Sequence, residues 1–478
     1  MCGHHHGRTA IASAPGVNYR VLSLSDAPAA SVRRPGPTIT AARVIQLALF
    51  LVLVGNVINV PLLDLGDREA PVHFIDLGVA AILGVGALAM MRAQSLRLSP
   101  AALAGLTFVA IGGLSALAAM PRFGLTGFEV FASLAYLARW TFYFAIYIVV
   151  INCVRERDVR PIWIALEWMM LLFAGFGLVQ AIFLPDFAQM IYPDSRAYVD
   201  FDLQGHRLMS TVLEPNIAAA MILVVLLVQI GQLAFGARIA LWKPTVLLAS
   251  LVVTLSRSGV LGFLVGVLFI LAARRRLSKR ILALFGVAVV GMLAALPQIL
   301  VFAAKYQKLG VGDNSAAARA ITLSRALVLF LENFWFGIGF NTFGFVQEHR
   351  GVERLGGSAY SSEGGLLFVA VMTGIVGLAV FCAMIWFTIR KCGTVWRDWN
   401  ATPEERGLCV GTAAATLGVC AHSIFVNSLM TPFVMEPLWV LWGLTFVVAS
   451  SLKNAQLHRD VPLVEGRIER VAHVRVLE

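Results

Sequence analysis

The chain has 478 residues, 59% of them hydrophobic and 14% charged, with a mean hydropathy of +0.80. Soluble domains carry about 25% charged residues, so this composition excludes one. The net charge of +11 falls in loops between apolar runs, and nucleic acid is not an expected partner.

Residues 1–43, opening on MCGHHHGRTA, read as a disordered cytoplasmic tail rather than a metal tract. No cleavable signal peptide is visible, because the first apolar run lies far from Met1. Apolar runs follow near 44–63, 74–92, 100–120, 128–152, 161–184, 211–233, 244–256, 259–273, 281–302, 364–389, 407–428 and 437–452. A helix of about 20 residues crosses a bilayer core. The fold class is therefore an all-α polytopic membrane protein with about twelve transmembrane helices. Nine of these are expected over 44–302 and three over 363–452, with a cytoplasmic tail over 453–478. Cys2, Cys153, Cys382, Cys392, Cys409 and Cys420 form no Cys-x-x-Cys pattern, which speaks against disulfides and structural zinc.

Orientation follows from the loop cations. With the N-terminus inside, Arg33, Arg34, Arg43, Arg92, Arg97, Arg155, Arg157, Arg160, Arg238, Lys243, the cluster Arg274–Arg280, Arg390, Lys391, Arg397 and Arg406 all fall inside. The short outer connections hold only Arg68 and Arg122. Both termini are then cytoplasmic in a multi-pass protein of a bacterial inner membrane. Two outer segments are long, 185–210 and 303–362; loops of that length are functional or disordered. The second is expected to be a large periplasmic loop with an amphipathic helix over 319–332, where Arg319, Thr322, Arg325 and Glu332 share one sector. NFWFGIGFNTFG then ends that helix with glycines and aromatics suited to a membrane interface.

Cations on the outer face run against the inside bias. Arg207 lies in GHRLMSTVLEPN, Arg257 in the turn TLSRSG, and Arg319 and Arg325 on the loop helix. Any one of them could snorkel to lipid phosphate. Together they suggest a diphosphate ligand, whose oxygens a guanidinium matches bidentately. Glu363, in YSSEGG beginning at Tyr360, opens the tenth helix. A helix-dipole acid is the plain reading, but Gly364 and Gly365 cost helix stability and admit a close approach to the backbone. His206, Glu214, Tyr360 and His422 are secondary candidates. His206 reads first as an exposed loop histidine, His422 as a packed hydrogen-bonded one, and Glu214 as a partner that positions Arg207. Arg139 and Glu167 lie inside expected spans at different depths and are functional candidates by default. VDFD at 199–202 contains an Asp-x-Asp pattern, too short and on the wrong face for a nucleotide-sugar metal site, so no metal is expected.

RLMSTVLEPNIAAA, TLSRSG, ARAITLSRALVLFLENFWFGIGFNTFG and EGGLLFVAVMTGIVGL occur in this order over roughly residues 200 to 450. The set resembles the O-antigen ligase and Wzy-type O-antigen and exopolysaccharide polymerase superfamily. The resemblance implies a glycan donor on undecaprenyl diphosphate, no cofactor, and a chain-length regulator as a candidate partner besides the bilayer. It implies Glu363 as catalytic base and Arg207, Arg257, Arg319 and Arg325 as donor-binding groups. Ligases carry a His-Asn or similar pair eleven residues before the Gly-x-x-Gly formed by Gly374 and Gly377; here that position is Glu363. This departure favours an inverting polymerase over a ligase. A transporter or flippase of lipid-linked glycan is the reading from another class.

Overall fold

A computed structural model describes residues 40–58, 60–64, 69–94, 96–193, 206–274, 314–351 and 364–474. The described helices are α1 (Ala41–Leu49, continued by a 3-10 turn, Phe50–Val54), α2 (Phe74–Ala93), α3 (Pro100–Phe123), α4 (Gly127–Cys153), α5 (Glu156–Phe183), α6 (Phe187–Ile191), α7 (Pro215–Ala234), α8 (Trp242–Val253), α9 (Arg257–Ala273), α10 (Asn314–Glu332), α11 (Phe343–His349), α12 (Gly365–Trp396), α13 (Pro403–His422) and α14 (Pro432–Val474). Among the described residues, seven helices are long and apolar enough to cross a membrane: α2, α3, α4, α5, α7, α12 and the Pro432–Leu457 part of α14. The chain is a nearly all-helical, multi-pass membrane protein.

The expected seventh and eighth spans are the short apolar helices α8 and α9. The ninth, 281–302, lies outside the described residues. The first differs from expectation. Its apolar run stays helical only to Val54, then turns into an antiparallel hairpin, β1 (Val60–Asp64) with β2 (Glu69–Val72), in which Val60 faces Val72. Asn56 diverts the chain by donating from its backbone to Thr211 O at 2.8 Å and from its side chain to Val212 O at 2.9 Å. Pro61 could not have continued the helix in any case.

Helix α7 is the centre of the bundle, with every one of its residues buried. Its sequence is apolar all round, as a fully enclosed helix requires. Helix α13 lies directly against it. A methyl group at Gly407 would sit 2.3 Å from Gln232 Cα, and one at Gly411 would sit 2.4 Å from Val228 Cα. Backbone-to-backbone packing through small residues holds membrane helices together without an apolar driving force. It also lets α13 be less hydrophobic than its neighbours.

The long helix α12 is broken at Gly374, whose φ of 68° and ψ of −172° lie outside the helical region. The break frees backbone groups that the segment after α10 takes up. Ile338 and Gly339 donate to Val371 O and Met372 O at 2.9 and 3.1 Å, and Ile375 donates to Phe334 O at 2.8 Å. Helix α3 secures the same joint. The Ser115 hydroxyl lies 2.7 Å from Phe336 O and 2.8 Å from Met372 O, and Arg122 donates to Asn333 Oδ1 at 2.8 Å and Gly337 O at 3.2 Å. NFWFGIGFNTFG is thus split. Phe334, Trp335 and Phe336 are exposed, as expected at an interface, while Ile338, Phe340 and Phe343 are buried. A Cβ at Gly374 would stand 2.1 Å from Trp335 O, and the positive φ disfavours any side chain there. Gly374→Ala is expected to destabilise the protein by about 2–4 kcal/mol. Thermal unfolding in detergent should show a lowered midpoint, whereas Gly84→Ala, which meets nothing within 4 Å, should not shift it.

Candidate functional site

Helices α7, α9, α12 and α14 all begin at one end of the bundle. Ser256, the N-cap of α9, donates to Asn216 Oδ1 in the first turn of α7 at 2.9 Å. His422, at the end of α13, lies against that same turn and shares a 2.7 Å hydrogen bond between Nδ1 and the Ser428 hydroxyl just before α14. Gly365, at the start of α12, donates to Ser423 O. Helix N-termini carry partial positive charge and unpaired N–H groups, so their convergence favours an anion.

The two arginine motifs meet here. Arg207 is half-buried, and its Nε donates to Thr254 O at 3.0 Å, while Leu208 N donates to Val253 O at 3.1 Å. Gln180 of α5 receives Met209 N and Ser210 N at 3.0 and 3.2 Å. The segment before α7 is therefore strung between the ends of α5 and α8. In TLSRSG, the Thr254 hydroxyl receives Ser256 N at 3.2 Å, and the Ser256 hydroxyl receives Gly259 N at 3.2 Å. The turn uses its own hydroxyls to finish one helix and start the next. Arg257 is the first residue of α9, exposed, with no ion pair or hydrogen bond among the described residues. A cation at a helix N-terminus opposes the helix dipole, so its place there is not explained by helix stability.

The glycines after Glu363 have a packing reason. Gly364 has φ +98°, and a side chain on it would come within 3.2 Å of Ile424 O and 3.3 Å of Leu323 Cδ1. At Gly365 a Cβ would lie 3.1 Å from Ser423 Cβ. What approaches the backbone is the turn after α13, together with α10. Glu363 and Tyr360 themselves lie outside the described residues, as does VDFD at 199–202; α12 begins at Gly365.

Helix α10 covers the expected amphipathic stretch and starts earlier, at Asn314. It carries Arg319 and Arg325. Arg325 is half-buried, Ala326 and Leu329 are buried, and Leu323, Leu327 and Leu331 form an exposed apolar stripe. Arg350, after α11, pairs with Glu332 at 2.8 Å, and His349 meets Glu129 of α4 at 3.1 Å. These contacts tie the loop helix down beside α12.

The secondary candidates separate. His206 is exposed, with Nδ1 3.4 Å from Ala181 O. Glu214 is half-buried and is the N-cap residue of α7. His422 is fully buried, and its Nε2 has no hydrogen-bond partner; nor has the hydroxyl of Ser423. The charges inside the helices are partnered. Arg139 binds Asp76 of α2 at 2.8 Å through Nη2 and 3.3 Å through Nε, and Tyr143 donates to the same carboxylate at 2.8 Å. Glu167 of α5 pairs with Lys243 of α8 and receives Gln229 Nε2 of α7 at 2.9 Å.

Sequence reasoning missed Glu436 and its neighbours. Glu436, in the first turns of α14, is fully buried, and neither carboxyl oxygen has a hydrogen-bond partner among the described residues. It lies close enough to Asp76 and Tyr143 to interact electrostatically. His73, N-cap of α2, packs on Phe433 with ring centroids 5.3 Å apart. Burial, aided by the Arg139 cation and opposed by Asp76, pushes the His73 imidazole down to about 4. The only sequence signal for this group was that Asp76 is an acid just inside one apolar run and Glu436 an acid just before another. Among the described residues no three His, Cys, Asp or Glu side chains gather as a metal would need.

Residues 245–382 match a family model described as O-antigen ligase. This stretch is similar to the O-antigen ligase domain, which supports the resemblance to the O-antigen ligase and Wzy-type polymerase superfamily. The match runs from α8 to the middle of α12. It is narrower than the stretch over which the sequence motifs resemble the superfamily, leaving Arg207, His206, Glu214 and His422 outside it. Within the O-antigen ligase domain it takes in TLSRSG, the loop helix α10 and the break at Gly374. No curated protein matches the chain.

The Glu167–Lys243 pair is read as structural. Lys243→Ala, which strands a carboxylate that is 5% exposed, should cost about 3 kcal/mol in unfolding measurements. Adding Glu167→Gln to that variant should recover most of the loss, and transfer activity per folded molecule should be unchanged in both.

Proposed function

We propose that the protein is an inverting glycosyltransferase. It polymerises glycan repeat units carried on undecaprenyl diphosphate at the periplasmic face of the inner membrane, with both its termini cytoplasmic. The observation that carries this reading is Arg257. It is a cation without an ion pair, set at a helix N-terminus and hydrogen-bonded through its own turn to the segment that carries Arg207.

The step is a single displacement. An acceptor sugar hydroxyl attacks the anomeric carbon of the donor, and the bond from that carbon to the diphosphate oxygen breaks. Undecaprenyl diphosphate leaves with the bonding electrons, and the hydroxyl proton passes to the Glu363 carboxylate as general base. Arg207 and Arg257, with Arg319 and Arg325 from the loop helix, stabilise the charge on the leaving group as fixed cations, so no metal is needed. The helix starts of α7 and α9 add their dipoles. Attack opposite the leaving group inverts the anomeric configuration.

A ligase, passing a finished glycan to lipid A core or another acceptor, uses the same donor and groups. It is favoured by the description of the matched family, and opposed by Glu363 standing where ligases carry histidine. A transporter is disfavoured because Arg139 and Glu167, its only sequence support, both have structural partners.

The test combines purified protein, a lipid-linked repeat unit and EDTA. A ladder of products is expected from the native protein. Glu363→Gln and Arg257→Gln should each reduce it by about a hundredfold or more, the scale of losing one preorganised charge-stabilising group. Thermal midpoints should stay unchanged, since Arg257 is exposed and unpaired. Transfer only when a second acceptor is supplied would indicate a ligase. A near-normal ladder from Glu363→Gln would remove that residue from the reaction.

A further inference from the structure

A second site lies at the other end of the bundle. A cavity of about 230 Å3 opens between the start of α3, the end of α4, the second half of α12 and the middle of α14. Arg390 at its mouth lies 16 residues, about 24 Å of helix at 1.5 Å per residue, beyond the break at Gly374 on the side away from Gly365. The cavity therefore takes no part in the glycan chemistry described above.

Its walls are of two kinds. Phe387, Trp442, Phe446, Pro100 and Ala101 are apolar, while Arg390 and Lys391 are cationic, and no acidic side chain lines it. Lys391 Nζ stands 5.1 Å from the Phe446 ring centroid, and Lys453, further along α14, is near enough to repel it. None of these three cations has an ion pair among the described residues. Lys391 and Lys453 raise one another's energy unless an anion joins them.

The cavity is built rather than left over. Ser99, the buried N-cap of α3, hydrogen-bonds Tyr147 OH at 2.6 Å across one wall. Asn152 of α4 grips the preceding turn at both Arg97 N and Arg97 O, at 2.7 and 3.0 Å. The Trp442 indole is fixed by its 2.9 Å hydrogen bond to Thr416. Thr388 and Thr394 spend their hydroxyl protons on their own helix, at Met384 O and Lys391 O. The lining therefore offers an anion the two cations as its charged donors, and offers an apolar chain a rigid wall.

The geometry points to a binding site for an anionic phospholipid, its phosphodiester held by Arg390 and Lys391 and its first acyl methylenes against Phe387, Trp442 and Phe446. A free phosphate would use the cations but leave the aromatic wall uncovered, and a neutral lipid would leave the cations unpaired. Basic pockets between membrane helices recognise anionic headgroups on this principle.

The experiment uses the full chain, purified and delipidated in mild detergent. It is then offered phosphatidylglycerol, phosphatidylcholine or inorganic phosphate, and bound species are read by native mass spectrometry. Phosphatidylglycerol is expected to be retained over phosphatidylcholine by about tenfold, as two or three membrane-surface cations can supply. Arg390→Gln with Lys391→Gln should bring the two lipids to parity. Thr394→Trp, an exposed lining position whose change leaves every cation in place, should lower retention of phosphatidylglycerol by blocking the mouth. An undiminished preference in the double variant would overturn the proposal. So would inorganic phosphate displacing phosphatidylglycerol at equal concentration, which would make this an anion site without a lipid.

Discussion

The break in helix α12 at Gly374 is the constraint on which the segment after α10 depends. A helix interrupted inside an apolar bundle releases carbonyl and N–H groups, each costing about 1–3 kcal/mol if left unpaired. Here the backbone of residues 334–339 supplies the missing partners. The loop is thereby stitched into the membrane domain like a short added strand. Irregular backbone at membrane depth is tolerated only where protein buries it, and Ser115 and Arg122 of α3 complete that enclosure. Because the loop cannot leave without exposing these groups, α10 stays against α12.

Charge is arranged by the same economy of burial. Inside the bundle, Arg139 meets Asp76 and Glu167 meets Lys243, so neither cation is available for a ligand at no cost. At the two ends the pattern reverses. Among the described residues, Arg257 stands without an ion pair at the candidate site, and Arg390 and Lys391 stand without one at the opposite cavity, with Lys453 close to Lys391. Glu436 is the exception within the interior, a buried carboxyl with no hydrogen-bond partner among the described residues, near the Asp76 carboxylate that Arg139 already engages.

Much of the architecture was legible in the chain itself. Runs of about 20 apolar residues must become helices in lipid, because no other single segment satisfies its own backbone. The turn TLSRSG could be read as a helix end because Thr and Ser hydroxyls replace missing backbone partners, and they do so here. Arg139 and Glu167 were legible as charges at different depths, but not their partners, which lie 63 and 76 residues away in sequence. The hairpin after α1 was hidden because its first strand continues an apolar run, and Pro61 was the one local sign that the helix stops short.

The sequence by itself determined a multi-pass helical protein, the order of its family motifs, and the residue types that could bind a diphosphate. Those follow from composition and local chemistry, which the chain carries at every position. Only the tertiary structure decided what the glycines are for. Gly374 breaks α12 to receive the loop, and Gly364 and Gly365 let the turn after α13 close on the helix that follows Glu363. A glycine in a sequence records only that a side chain is missing. What fills the space, and so what the absence does, is fixed by segments that folding alone brings together.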